Sequence, residues 1–196
     1  MEHSSTSDEA LMLAYAQDDV ASFDALYQRH KDPLFRYVIR QVTDKELAHD
    51  LYQECWSRII KSAASYTQGA KWTTWAYRIA HNLVVDHYRS FKPVEVAVDL
   101  ESNSYSPDRA HDQTILSEQL NHCMSKLPAV QLEVFILNQE TDLTLKMISQ
   151  VVYSSHEAVK TRLRYAKSSL QTCLAKFGLF KSQGSPDSLP DSGERT

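Results

Sequence analysis

The stretch KWTTWAYRIAHNLVVDHYRS, Lys71 to Ser90, decides how this chain is read. Trp75, Ile79 and Leu83 recur every four residues, the spacing of one face of an α-helix, and predict a buried stripe. Arg78, Asn82 and Arg89 fall on a neighbouring, more polar face. Rings interleaved with cations and an amide suit single-stranded nucleic acid, where bases stack on rings and cations hold phosphates. The plainer account of the rings is a helix core, and helical phase favours it for Trp75 above all and also for Trp72. His81 and His87 read as helix-surface groups or neighbours of phosphate, since no third ligand stands at metal spacing.

Outward from this stretch, composition sets bounds. The 196 residues suffice for one medium domain or two small ones, and 42% hydrophobic with 23% charged residues is ordinary for a globular protein. Only 4 glycines and 6 prolines favour long helices over a many-stranded sheet. No apolar run is long enough to cross a bilayer, and the polar, acidic start MEHSSTSDEA is not a secretory signal, so the expectation is a cytoplasmic protein without membrane insertion. Cys55, Cys123 and Cys173 are far apart, lack zinc spacing and read as small core thiols in a reducing compartment. No metal or other cofactor is implied.

The net charge of −4 argues against strong stand-alone binding to DNA, but its distribution is uneven. Between Pro93 and Asp112 stand Glu95, Asp99, Glu101, Asp108 and Asp112 against Arg109 alone. Lys71 to Lys92 carries four bases against Asp86, and His156 to Lys176 carries five against Glu157. Two basic segments are thus separated by an acidic spacer.

Periodicity predicts helices over Asp8–Gln17, Val20–Val42 (kinked or divided at Pro33), Asp44–Lys61 and Trp72–Ser90, with a loop from Ser62 to Ala70. After an aperiodic linker come helices over Thr114–Lys126, from Pro128 at a first helical position to about Glu140, over Thr144–Val152, and from Ser154, at capping-box spacing from Glu157, with Ser155 as a second candidate cap, to Phe177, where Gly178 stops it. The fold class is all-α, with two small helical domains joined by a flexible acidic linker: residues 1–92, linker 93–112, 113–180, and a disordered tail 181–196.

The short helix ending at Val152 and the longer one that follows have helix-turn-helix spacing. Val159, Leu163, Ala166 and Leu170 form the buried face of the second, leaving Lys160, Thr161, Arg164 and Lys167 exposed. Such a helix can enter a major groove, its cations meeting phosphate, although a solvated basic face on a plain bundle has the same periodicity.

Taken together, these segments resemble an extracytoplasmic-function sigma factor of the sigma-70 superfamily, over roughly Asp8 to Phe177. DDVASFDALYQRH resembles the family's early region 2 helix, and AHDLYQECW resembles A-E-D-L-x-Q-E-x-F. WTTWAYRIAHNLVVD resembles F-x-x-W-L-x-x-I-A-x-N-x-x-x-D. LPAVQLEVFIL and AVKTRLRYAKSSL resemble the start and the recognition helix of region 4. The resemblance implies a promoter-specificity subunit without enzymatic activity. It implies that Asp50, Gln53 and Glu54 dock on the β′ coiled coil of core RNA polymerase, with region 4 meeting the β flap. Tyr66, Lys71, Arg78, Asn82 and Arg89 would read the melted minus-ten strand. His156, Glu157, Lys160, Arg162, Arg164 and Lys167 would meet the minus-thirty-five duplex. An anti-sigma factor or a kinase is the implied regulator, and a stress or envelope signal the implied trigger. The chain departs from the pattern at His49, which replaces an acid, at Lys146-Met147, at Ala158, and at Tyr153, where glycine is frequent. A tyrosine there predicts a differently shaped turn.

Two other classes are weighed against this reading. A polymerase-independent helix-turn-helix regulator leaves the Trp-rich helix unexplained. A hydrolase built on the 8 histidines lacks ligand spacing, a Gly-rich phosphate loop and a nucleophile motif.

Overall fold

Capping side chains set where the helices begin. In the computed structural model, which describes residues 6–42, 44–67, 69, 71–91 and 111–178, Ser7 Oγ accepts the Ala10 N–H at 3.2 Å and opens α1 (Asp8–Tyr15). Asp19 does the same for α2 (Val20–Ile39) and Asp44 for α3 (Lys45–Lys61), each carboxylate sitting where unpaired N–H groups and the helix dipole favour an anion. A 3₁₀ turn, Ala63–Ser65, leads to α4 (Trp72–Phe91). The second half holds α5 (His111–Ser125), α6 (Ala129–Glu140), α7 (Leu145–Val151) and α8 (His156–Ala175). The class is all-α as expected, with no strand among the described residues.

Several local expectations are corrected. Helix α2 is continuous, with Pro33 inside it, so the expected division does not occur. Pro128 is the residue before α6 rather than its first residue, and its carbonyl accepts the Leu132 N–H. Of the two candidate caps, it is Ser155 that caps α8, accepting the Ala158 N–H at 3.2 Å. Helix α5 starts at His111, inside the stretch expected to be linker. The remainder of that linker, and the tail 181–196, lie outside the described residues.

Helices α1 to α4 pack around Leu26, Leu34, Tyr37, Cys55, Ile59 and Trp72, all buried. Along α3 the predicted face of Ala48, Leu51, Cys55 and Ile59 is buried, as its spacing required. Helices α5 to α8 pack around Val134, Ile136, Leu137, Ile148, Val159 and Ala166. A disulfide joins Cys123 of α5 to Cys173 of α8, correcting the reading of both as free thiols; Cys55 alone is free. The two groups of helices also meet each other, α4 lying on α7 and α2 on α6.

One ion cluster ties α1 to α2. Asp8 Oδ1 accepts from Arg29 Nη1 at 2.9 Å, and Asp8 Oδ2 lies 2.7 Å from His30 Nε2. Burial pushes the Asp8 carboxyl up, but hydrogen bonds and charge from His30 and Arg29 outweigh it and leave it lowered. A lowered carboxylate stabilises the fold above its unfolded value and loses that contribution as pH falls through its folded value. Asp8→Asn is therefore expected to melt earlier at pH 7 and to lose less on acidification from about pH 4 to 2, read by thermal denaturation at each pH.

Candidate functional site

Three surfaces carry the residues singled out by sequence. On α3, Asp50, Gln53 and Glu54 are exposed beside the buried Leu51 and Cys55. Their shared exposure follows from helical phase, since the apolar residues claim the opposite side. Glu54 is not free: its Oε1 accepts from Arg58 Nε at 2.8 Å one turn on, and this hydrogen bond holds its carboxyl below the usual range. An exposed pair of this kind contributes little to stability and is easily exchanged for an external cation. His49 is exposed, and its ring lies 4.9 Å from that of Phe35.

The second surface is α4. Its start is anchored from α1, where Glu9 Oε1 accepts the Trp72 N–H at 3.0 Å and places a carboxylate at the positive end of the helix. The buried face differs from the predicted one. Trp72, Ala76, Tyr77, Ala80, Leu83 and Val84 are buried, while Trp75 and Ile79 are only partly so. Trp72 is thus the core indole, with its ring 6.4 Å from Trp56 and 4.4 Å from His30.

Lys71 and Arg89 are exposed, and Arg78 and Asn82 half-buried, on the polar side of α4. Tyr66 departs from expectation: it is 6% exposed, with its ring 5.2 Å from Trp75, and so belongs to the core rather than to a strand-facing loop. Burial pushes its hydroxyl up to about 12, with the carboxylates of Glu9 and Asp8 adding to the shift. His81 is also misplaced by the sequence reading. It is buried, with Nδ1 2.6 Å from Glu133 Oε1 of α6.

The third surface is α7, the turn and α8. Thr144 Oγ1 accepts the Met147 N–H and caps α7, and Ser155 caps α8 two residues beyond Tyr153. Tyr153 adopts φ 46°, the left-handed conformation glycine favours, so the turn keeps that shape despite its side chain and the expected reshaping does not occur. On α8, Lys160, Arg164 and Lys167 form an exposed stripe opposite the buried Val159, Leu163, Ala166 and Leu170. Arg162 is half-buried at the margin. His156 and Glu157 are exposed in the first turn, with Glu157 4.0 Å from Lys160 Nζ. Among the described residues no group of His, Cys, Asp or Glu could hold a metal ion.

The sequence reading missed three acceptors and rings that join the halves. Glu133 Oε1 accepts from Tyr37 Oη at 2.7 Å as well as facing His81. Glu140 lies 2.6 Å from Arg36 Nε and 3.1 Å from Arg40 Nη1. Tyr153 lies against Arg78, His81 and Asn82. Two sequence signals pointed there: Glu133, a lone carboxylate inside the apolar run LPAVQLEVFIL, and Tyr153 in the turn.

Known proteins match this arrangement. The family described as sigma-70 region 2 matches residues 26–92, which hold most of α2 and all of α3 and α4. A probable RNA polymerase sigma factor of Haemophilus influenzae is 24% identical over 174 residues, covering 78% of this chain and 90% of that protein. The ECF RNA polymerase sigma factor SigW of Bacillus subtilis is 28% identical over 166 residues, covering 78% of this chain and 89% of that protein. Residues 26–92 thus match a sigma-70 region 2, and over most of its length the chain is similar to extracytoplasmic-function sigma factors. At the level of fold, the sigma factor RpoE of Bartonella quintana, solved with the anti-sigma factor NepR, superposes with a TM-score of 0.62. That match covers 80% of this chain and 98% of RpoE at 18% identity. The family match falls on the helices that carry the exposed α3 patch and the polar side of α4.

Proposed function

We propose that this sigma factor directs core RNA polymerase to specific promoters and assists their opening. The observation that carries the reading is the pairing of a region 2 match over residues 26–92 with an exposed cationic stripe on α8 behind a short capped helix and turn. Residues 1–92 form the region that docks on polymerase and meets the minus-ten element, and 113–180 the region that meets the minus-thirty-five element. The linker, which ends where α5 starts at His111, carries most of the net acidic charge. Asp50, Gln53 and Glu54 dock on polymerase, with Arg58 exchanged for a polymerase cation. Lys71, Arg78, Asn82 and Arg89 hold the melted strand, and Tyr66 supports them from the core. Lys160, Arg164 and Lys167 lie on the duplex, with His156, Glu157 and Arg162 at its edge. The chain works in the cytoplasm, where polymerase is, and an anti-sigma factor restrains it, as NepR is found on RpoE.

Weak stand-alone binding fits the net charge of −4, because fixing both surfaces on one polymerase raises the effective concentration of the second contact. A helix-turn-helix regulator acting alone has no use for the α3 patch. The test is transcription in vitro from fragments of the native genome. Core polymerase plus the full chain should start discrete transcripts, and no transcript from any fragment would end the reading. Lys160→Ala with Arg164→Ala should lower promoter occupancy at least about tenfold and reduce the salt slope of binding by about 2, in a filter or gel assay with holoenzyme.

A further inference from the structure

We propose that Arg164 reads a guanine of the minus-thirty-five duplex, and that Tyr165 is a positioning residue that sets the plane of its guanidinium. The inference rests on the function proposed above and deepens it, because it gives to one side chain the sequence choice that a row of cations does not make.

The phase of α8 separates its exposed residues by task. Val159, Leu163, Ala166 and Leu170 are buried. At about 100° per residue, Glu157, Thr161, Arg164 and Ser168 fall on the line farthest from that buried face, and all four are exposed. Lys160 and Lys167 lie to one side of this line and Tyr165 to the other. A helix laid in a major groove turns its outermost line to the base edges and its flanks to the phosphates. Lys160 and Lys167 therefore meet phosphate, a contact that carries no sequence information. Arg164 is the one cation on the outermost line. Its flat fork of N–H donors matches guanine N7 and O6 together, which an ammonium cannot do. It stands about 12 Å along the helix from His156, and helical side chains lean toward the N-terminus, so a long side chain there reaches back to the turns that meet the bases.

The neighbouring ring supplies what such reading needs. The Arg164 guanidinium carbon lies 5.2 Å from the centre of the Tyr165 ring, within cation–π distance. Tyr165 is 52% exposed, so the ring is not committed to the core. A lone exposed tyrosine needs no explanation, but this one carries the guanidinium of the groove-facing line. A guanidinium stacked on a ring has its plane set and its edge of donors free, so less rotamer freedom is lost when that edge meets a base. An exposed contact of this kind favours the stacked arrangement about two- to fivefold. Lys160 has a different neighbour, Glu157 Oε2 at 4.0 Å, which attracts its charge but sets no plane.

The test uses holoenzyme containing the full chain and a pool of promoter duplexes randomised across the minus-thirty-five segment, sequenced before and after capture. The parent should enrich guanine over the other bases at least about tenfold at one position or more. Arg164→Lys keeps the charge, so the salt slope of binding should stay, while guanine preference at one such position falls to about twofold or less. Tyr165→Ala should lower the preference at that same position about two- to fivefold and leave the other positions as they were. Tyr165→Phe keeps the ring and should keep the parental preference. Alanine is the best helix former and the ring is half-exposed, so Tyr165→Ala should melt with the parent, which separates positioning from a weakened helix. Parental guanine preference in Arg164→Lys would make Arg164 a phosphate contact and overturn the proposal. So would a Tyr165→Ala variant that leaves the position unchanged, or that relaxes a different position, as a ring touching a base itself would do. A parent holoenzyme that enriches no base in this segment overturns the sigma-factor reading of α8 and the pair with it. Enrichment that neither variant alters leaves that reading standing and removes the role of the pair alone.

Discussion

Trp72→Ala is expected to destabilise the first group of helices by about 3–5 kcal/mol, the range for deleting a fully buried large aromatic side chain. Trp72 is 1% exposed, packs its ring toward Trp56 and His30, and opens α4 at the point where Glu9 anchors the helix. Removing the indole leaves a void bordered by α1, α2 and α3, helices that close packing holds in fixed relation. In a chain of this size the loss corresponds to a fall in melting temperature of roughly 10 °C, measured by circular dichroism. Trp72→Phe is the informative companion. It keeps a ring against Trp56, and it removes an indole Nε1 that is buried without a hydrogen-bond acceptor among the described residues. Its cost should be less than half that of alanine, since the lost area is offset by relief of an unpaired donor. Equal losses for the two variants would show that a single six-membered ring cannot fill the space the indole occupies.

Helix phase made most of this architecture legible in advance. The face of Ala48, Leu51, Cys55 and Ile59 on α3, and that of Val159, Leu163, Ala166 and Leu170 on α8, could be read because each helix has one apolar stripe and an otherwise polar circumference. Helix α4 resisted the same reading. It touches α1, α2, α3 and α7, so its buried side is wider than one row of residues four apart. The periodic large residues Trp75 and Ile79 drew attention, while the buried positions Ala76 and Ala80 are small and weigh little in any hydrophobic pattern. Small residues are nevertheless what allow neighbouring helices to approach.

The contacts between the halves were beyond sequence for a different reason. His81 looks like a surface group on an isolated α4 and becomes buried only because Glu133 arrives from a helix about fifty residues later. Tyr66 stands in a stretch read as loop for its lack of periodicity, and the resemblance alone gave it a strand-facing role, yet aperiodic backbone does not prevent one ring from turning inward onto Trp75. For the site, exposure of the α3 patch and of the α8 cations followed from local phase. What covers the polar side of α4 depended on long-range packing.

Loss of the Cys123–Cys173 bond should be the second large effect, and it should be confined to the helices that carry the α8 stripe. The bond spans 50 residues, from α5 across α6 and α7 to the later part of α8. Closing a loop of that length restricts the unfolded chain and stabilises the fold by about 2–4 kcal/mol. Cys123→Ser in oxidised protein should therefore lower the melting transition of α5 to α8 by about 10 °C or more, because a small helical unit has a small unfolding entropy. The α1 to α4 transition should stay where it was unless the contacts between the halves couple the two. Dithiothreitol should bring the parent chain down to the variant and leave the variant unchanged. Cys55 does not confuse the comparison. It is buried, and burial pushes its thiol up to about 12, so it stays protonated and is a poor partner for exchange. If oxidised and reduced parent chains melt together, the two sulfurs contribute as packed core thiols, the role composition alone had suggested. If they melt apart, the duplex-facing helix is stapled at its far end, and Lys160, Arg164 and Lys167 owe part of their fixed spacing to that staple.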